Sequence, residues 1–270
     1  FGCACCPSNV SRFIPSLPGY VYAVKDNQVY VNLYLSNKAE LIINKKKVVL
    51  EQETGYPWNG DIRVKVAQGN QEFALKLRIP GWVRNEVLPS DLYSYADNQK
   101  PTYRIIVNGQ ETANTLNNGY LSIERKWKKG DVVKIHFDML PRIVKANEKV
   151  VDDKGRVSVE RGPIVYCAEW PDNKCNVHTV LLNQHPQFKV VEKPELLYGI
   201  SQLKTDAQAL SYDKNGKLIT KDTELTLIPY YAWAHRGEGD MEVWLPIDVS
   251  AASALPQEVQ KWEDNGFFKN

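Results

Sequence analysis

The sequence predicts an all-β protein built from two tandem β-sandwich domains, and three observations carry this prediction. Residues 62–66 and 73–78 alternate apolar and polar side chains, which is typical of a strand with one buried face and one solvated face. Similar short runs recur throughout the chain and are separated by turn-forming residues. The 270 residues suffice for about two domains, and a 43% hydrophobic content is enough to form packed cores.

The first block of predicted strands begins with a hairpin of residues 20–24 and 29–34 around the turn residues Asp26 and Asn27. Asn108 and Gly109 predict a second tight hairpin turn, because both residues tolerate the positive φ angles that a type I′ turn requires. The other strands predicted in this block comprise residues 40–43, 47–52, 62–67, 72–79, 103–107, 120–125 and 132–137.

A second block of predicted strands follows a short polar boundary at residues 141–155. We therefore assign residues 21–145 to β-sandwich I, residues 146–237 to β-sandwich II and residues 251–270 to a tail with a short helix at 256–264. A strand at 240–245 leaves open whether residues 238–250 return to complete β-sandwich I. The strands of the second block comprise residues 157–160, 164–170, 178–182, 188–191 and 224–233.

Charge and hydropathy exclude two classes of partner. A formal net charge of +2 is too balanced for a surface that binds nucleic acid through its phosphates. No apolar stretch approaches the roughly 20 residues that span a bilayer, so we expect no membrane partner. The chain starts at Phe1 with no leader sequence, and because we expect its natural N-terminus to be missing, its localisation stays unassigned.

The sharpest chemical feature is a cluster of cysteines at the start of the chain. Cys3, Cys5 and Cys6 precede a predicted helix at residues 8–14, for which Ser8 is the candidate N-cap. Thiols at a helix N-terminus suit metal ligation or nucleophilic chemistry, because the positive end of the helix stabilises a thiolate. The alternative is that they are small buried side chains, since no histidine or carboxylate lies close enough in sequence to complete a metal site.

The run Gly-Cys-Ala-Cys-Cys-Pro-Ser-Asn at residues 2–9 closely resembles the cysteine motif of glycoside hydrolase family 127. This is the β-L-arabinofuranosidase family formerly called domain of unknown function 1680. Residues 53–60, 77–82, 160–166 and 229–237 also resemble the C-terminal half of that family. The resemblance extends over nearly all of the chain, and the cysteine motif is its most specific part.

The resemblance implies that an upstream (α/α)6 barrel carries catalysis and that residues 1–20 are the C-terminal end of this barrel. It implies that Cys5 is the nucleophile of a retaining glycoside hydrolase, that Cys5 and Cys6 both ligate zinc, and that Cys3 has a structural role. The other zinc ligands and the acid/base glutamate of the family lie upstream of this motif. We therefore expect the isolated chain to be inactive and to bind zinc weakly or not at all.

The same resemblance implies the partners of the full-length protein, which are a glycan substrate and the upstream barrel. A homo-oligomer stays possible. Two other classes of function stay open: a non-catalytic carbohydrate-binding or structural β-sandwich module, and an interaction module that assembles with another chain. For the first of these, Trp58 and Trp82 are the candidate sugar-stacking residues, although aromatic side chains in β-sandwiches are mostly core residues.

The remaining candidate residues are weaker. Cys167 and Cys175 flank a predicted turn, and we favour free thiols over a disulfide between them. The histidines are scattered and mostly flank predicted strands, which favours packed or exposed side chains over metal ligands. They are His136, His178, His185 and His235.

Overall fold

The computed structural model describes residues 5–97, 99–112 and 115–252, which form two compact units rich in strands. The first unit contains residues up to 85 and residues 100–139, and the second contains residues 86–99 and the chain from residue 140 onwards. The predicted all-β fold class with two domains is thereby confirmed. No helix in the described ranges is long and apolar enough to cross a membrane.

Two sheets form the first unit. One has the strand order β1-β2-β6-β11-β10, in which β2 and β6 are parallel and the other neighbours are antiparallel. Its strands are β1 (Tyr22–Lys25), β2 (Gln28–Val31), β6 (Asn70–Arg78), β10 (Leu116–Asn117) and β11 (Tyr120–Lys128).

The second sheet of this unit is antiparallel throughout and has the order β3-β4-β5-β12-β8-β9. Along β5, Ile62, Val64 and Val66 are each only 2% exposed, so the alternation seen in the sequence places one face of the strand in the core. The predicted hairpin at Asn108 and Gly109 joins β8 to β9, and both residues have positive φ angles. The strands are β3 (Asn37–Ile43), β4 (Lys46–Thr54), β5 (Asp61–Gln68), β8 (Tyr103–Val107), β9 (Gln110–Glu111) and β12 (Val132–Phe137).

Gly60 lets the turn before β5 approach the end of β12. A Cβ atom at Gly60 would lie 1.9 Å from the Phe137 carbonyl oxygen, and the Phe137 amide donates a hydrogen bond to the Gly60 carbonyl. We expect Gly60→Ala to lower the free energy of unfolding by about 1–3 kcal/mol, because backbone atoms must shift to relieve the overlap. Urea unfolding measures this change.

Gly19→Ala is the matched control, because a Cβ at Gly19 meets no atom within 4 Å. It should leave the unfolding midpoint unchanged or slightly higher. Equal midpoints for the two variants would contradict the role given to Gly60.

The second unit is formed by one hydrogen-bonded sheet of ten strands. Its main path runs β16-β18-β19-β15-β14-β13-β7, while β17 pairs with β18, β20 with β15 and β21 with β14. Val159, Tyr166, Leu203 and Leu227 are buried together in its main core. The strands are β7 (Tyr93–Tyr95), β13 (Pro141–Ala146), β14 (Arg156–Arg161), β15 (Ile164–Glu169), β16 (Val180–Leu182), β17 (Lys189–Lys193), β18 (Ile200–Tyr212), β19 (Leu218–Pro229), β20 (Met241–Glu242) and β21 (Leu245–Pro246).

The organisation of this unit differs from the sequence-based assignment in two places. Residues 238–250 do not complete the first sandwich, because β20 and β21 pair with β15 and β14 of the second unit. Strand β13 also belongs to the second unit, where it pairs with β14 on one side and β7 on the other. The sequence of β13 contains Pro141, Arg142 and Lys145, and therefore reads as a charged linker. The helix predicted at 256–264 lies outside the described residues.

Two helices precede the first strand: α1 (Cys5–Ser16) and α2 (Pro18–Val21). Single 3-10 turns are found at Gly81–Arg84, Val151–Asp153, Trp170–Asp172, Val177–Thr179 and Tyr230–Ala232.

Candidate functional site

The cysteine motif lies at the N-terminal end of helix α1. The predicted helix is present, but it begins at Cys5 and not after Ser8, so Ser8 belongs to its first turn and is not the N-cap. Pro7 is tolerated there because the first turn of a helix needs no amide donors. Cys3 lies outside the described residues, as does the side chain of Cys5, whereas the side chain of Cys6 is exposed.

The backbone of Cys5 and Cys6 lies in the first described turn of α1. The amide groups of the first helical turn have no partners within the helix, and they carry the positive end of the helix dipole. A thiol beside them ionises more readily than one in a strand. The start of a helix is therefore a position at which nucleophilic and metal-binding cysteines occur in proteins.

Helix α1 also exposes an apolar stripe. Val10, Phe13 and Ile14 have exposed fractions of 54%, 58% and 57%, and their spacing of three and four residues places them on one side of the helix. Such a stripe is typical of a helix that packs against other helices.

The cysteine motif suggests zinc as its metal, and the described residues fit a zinc site in part. Two thiolates are the soft donors that zinc favours, so Cys5 and Cys6 fit it in kind. A structural zinc site takes four ligands. Among the described residues, no group of three or more histidine, cysteine, aspartate or glutamate side chains could hold a metal ion. The motif thus supplies part of a donor set.

Cys167 offers a contrast with the motif cysteines. It carries a free thiol and is fully buried on β15, so the disulfide to Cys175 that the sequence left open is not formed. Burial raises the pKa of the Cys167 thiol to about 12, and the nearby Glu169 adds to this effect. At neutral pH Cys167 is therefore a protonated core residue and not a nucleophile.

Trp82, one of the two candidate sugar-stacking residues, is a core residue. It is only 7% exposed, its Nε1 atom donates a hydrogen bond to the Tyr56 hydroxyl at 3.2 Å, and its ring packs edge-on against Phe137. The prediction that Trp82 stacks on a sugar is therefore wrong. Trp58 is 52% exposed, and its stacking on a sugar stays a prediction.

A charged groove of about 580 Å³ opens on the outer face of the second sheet in the first unit. His136 lies there with its Nδ1 atom 2.7 Å from a carboxylate oxygen of Asp61, and the Arg63 guanidinium donates to Glu53 at 2.8 Å.

In the second unit, His178 Nδ1 lies 2.7 Å from a carboxylate oxygen of Glu242, and this hydrogen bond raises the pKa of His178. These two histidines thus have carboxylate partners.

A buried charge network that the sequence did not reveal holds the segment after β19. The Arg236 guanidinium binds both Glu169 and Asp172, with a donor distance of 2.9 Å from Nη1 to Asp172. Glu169 also accepts a hydrogen bond from the Ala234 amide at 3.0 Å. The Glu169 side chain is only 1% exposed. We name these three side chains, Glu169, Asp172 and Arg236, the buried charge network.

Two family profiles match the chain. Residues 28–139 match the profile described as "Beta-L-arabinofuranosidase, GH127 middle domain", and residues 141–246 match "Glycoside hydrolase family 127 C-terminal domain". A curated relative, "Non-reducing end beta-L-arabinofuranosidase" of Bifidobacterium longum subsp. longum, is 30% identical over 264 residues, which is 90% of this chain and 37% of the relative.

Solved structures agree with these matches. A GH127 beta-arabinofuranosidase is 80% identical and superposes with a TM-score of 0.92, over 95% of this chain and 40% of that one. A GH127 beta-L-arabinofuranosidase from Geobacillus stearothermophilus T6 is 33% identical with a TM-score of 0.79, over 91% of this chain and 38% of that one. The chain therefore spans about 40% of the length of such relatives.

Proposed function

Because the chain belongs to glycoside hydrolase family 127, of which it contains the middle and C-terminal domains, we propose that it is part of a retaining β-L-arabinofuranosidase whose nucleophile is Cys5. The observation that carries this proposal is the position of the vicinal pair Cys5 and Cys6 at the N-terminus of α1. A nucleophilic thiol must be ionised, and a helix N-terminus favours ionisation.

Cys5 would act in two displacements. In the first, its thiolate attacks the anomeric carbon, a carbon–sulfur bond forms, and the bond to the leaving oxygen breaks as that oxygen takes a proton from a general acid. In the second, water displaces the sulfur and gives its proton to the same acid/base group, which restores the thiolate. The configuration at the anomeric carbon is inverted twice and hence retained.

Zinc would be held by Cys5 and Cys6 together with donors from outside the described residues. When bound, it keeps a ligating thiol deprotonated at neutral pH. Two donors leave most of the coordination shell to water or buffer, so we expect the isolated chain to bind zinc weakly. Cys3 has no place in this donor set, and we assign it a structural role.

The apolar stripe of α1 supports the assignment of residues 1–20 to the end of a helical barrel. Val10, Phe13 and Ile14 would be covered by neighbouring helices in such a barrel, and this contact would fix the start of the helix. Fixing α1 also fixes the direction in which the thiol of Cys5 approaches a sugar. Correct orientation of a reacting group contributes a large part of enzymatic rate enhancement.

We expect no turnover of an aryl β-L-arabinofuranoside by the isolated chain of 270 residues. The motif supplies a nucleophile, whereas general acid catalysis contributes about 10²–10⁴-fold and substrate positioning contributes more. Release of the aryl alcohol, followed by absorbance, measures this activity.

A protein that also carries the upstream part present in the relatives is the positive control, and it should hydrolyse the same substrate. Turnover by the isolated chain would contradict the requirement for an acid/base group from upstream. No turnover by the longer protein on arabinofuranosides would contradict the proposed substrate.

A further inference from the structure

The second unit exposes several large aromatic side chains on two of its segments. Tyr230, Tyr231 and Trp233 follow strand β19 and have exposed fractions of 45%, 51% and 38%, and Tyr198 in the turn between β17 and β18 is fully exposed. We name these four side chains the aromatic surface. Exposed apolar side chains that lie together, unlike single scattered ones, mark binding sites on soluble proteins.

The two segments that carry the aromatic surface share one small core cluster. Ala232, in the 3-10 turn between Tyr230 and Trp233, is buried against Cys167, Ile200 and Ile228. Leu196 and Leu197, which precede Tyr198, pack against the same cluster. The segments are therefore neighbours, although they are far apart in the sequence.

Two of these rings, those of Tyr230 and Trp233, stack on each other. The planes of Tyr230 and Trp233 differ by only 7°, and their centroids are 6.0 Å apart. Because the two rings stack on each other, a ligand would meet only the outer face of each, on side chains that are 45% and 38% exposed.

The fold gives up stability to hold this arrangement. Leu197, Tyr198 and Ala234 have φ angles of 50°, 66° and 67°, in the left-handed region that non-glycine residues rarely adopt. The buried charge network fixes the segment after Trp233, since Glu169 binds both the Ala234 amide and Arg236. Buried ion pairs and left-handed residues add little stability compared with apolar packing, and both are typical of positions where geometry matters.

We propose that the aromatic surface is a carbohydrate-binding platform that stacks on sugar rings of a neutral glycan. A sugar ring has an apolar face of C–H groups and a polar rim, and an aromatic ring with a hydroxyl or N–H at its edge matches both. Polar side chains that could reach the sugar hydroxyls follow Trp233 in the sequence, at His235 and Glu238, and both are exposed. The platform goes beyond the proposed nucleophile, because Cys5 takes no part in it.

Native gel electrophoresis through gels that contain a soluble branched arabinan or a β-1,4-galactan tests this proposal with the whole chain. We expect at least one of the two polysaccharides to retard the wild-type chain. Trp233→Ala should lower the apparent affinity for the polysaccharide, calculated from the retardation, by about tenfold or more, because it removes one stacking face. Trp233→Phe, which keeps a ring, should retain most of the binding.

The control is Tyr20→Ala, which removes an aromatic side chain that is 58% exposed in the first unit and should bind as the wild type does. Cys5→Ala should also bind normally, which separates this platform from the proposed nucleophile. Circular dichroism verifies that each variant is folded.

Absence of retardation by both polysaccharides would overturn the proposal, as would unchanged binding by folded Trp233→Ala. A change in oligomeric state on Trp233→Ala, without any polysaccharide binding by the wild type, would instead identify the surface as a contact between proteins. If Trp233→Ala fails to fold, Tyr230→Ala serves as the second variant, with the same expected loss and the same overturning outcome.

Discussion

Replacing Cys5 by alanine, in a protein that also carries the upstream part found in its relatives, is expected to lower kcat for arabinofuranoside hydrolysis by at least about 10⁴-fold. The reason is that the methyl group of alanine cannot form the covalent bond to the anomeric carbon on which both displacements depend. Initial rates on an aryl β-L-arabinofuranoside measure the loss. Mass spectrometry of the wild type, quenched during turnover, should find the sugar attached to the peptide that contains Cys5.

Cys3→Ala is the matched control, since it removes a thiol from the same short motif and should have a milder effect. Cys6→Ala should lower zinc content as well as activity, because Cys6 is proposed as a ligand and not as a nucleophile. Full activity of Cys5→Ala would exclude Cys5 as the nucleophile, as would a sugar adduct on another residue.

Arg236→Met is expected to lower the free energy of unfolding by about 3–5 kcal/mol, because it leaves the buried carboxylates of Glu169 and Asp172 without their cation. The Glu169 side chain is only 1% exposed, so water cannot replace the lost partner. Urea unfolding measures the change. Combining Arg236→Met with Glu169→Gln should recover part of the loss, since the neutral amide can still accept the hydrogen bond from the Ala234 amide.

Lys204→Met provides the comparison, because Lys204 forms an ion pair with Glu224 that is largely open to solvent. Exposed pairs contribute about 0–1 kcal/mol, so its effect should be small. Similar losses for Arg236→Met and Lys204→Met would show that the buried charge network contributes no more than a surface ion pair.

Local sequence patterns were sufficient to predict strands with one buried face. Strand β5 alternates isoleucine and valine with charged residues, and its register against β12 buries each apolar side chain. The hairpin at Asn108 and Gly109 could also be predicted, because a type I′ turn is determined by the two residues within it. These features depend on neighbours in the sequence alone.

Strand β18 shows why other elements escaped prediction. It runs from Ile200 to Tyr212, yet the buried positions at its start include Ser201, Gln202 and Thr205, which read as loop residues. Ser201 and Gln202 are satisfied by side chains from elsewhere in the second unit, Glu192 and Asp172. A buried polar residue can be recognised only after its partner is placed beside it.

The functional residues likewise include some that the sequence revealed and some that it did not. The cysteine motif is contiguous, so it was visible in the sequence and carried the resemblance to family 127. The buried charge network was not visible, because Arg236 lies 67 residues from Glu169. The signal that would have directed attention to the aromatic surface is the run of tyrosine, tryptophan, histidine and arginine at residues 230–236, which is too rich in polar and aromatic groups for a plain turn.

The strand pairing between β7 and β13 means that the second unit is not a contiguous stretch of chain. It includes residues 86–99, which precede residues 100–139 of the first unit in the chain. Strand β7 lies within residues 86–99 and forms the edge of the sheet next to β13. A gene fragment that begins at residue 140 would leave β13 as a bare edge strand, which is a template for aggregation. A single crossover between two genes at residue 140 would therefore pair β13 with a β7 strand from the other parent.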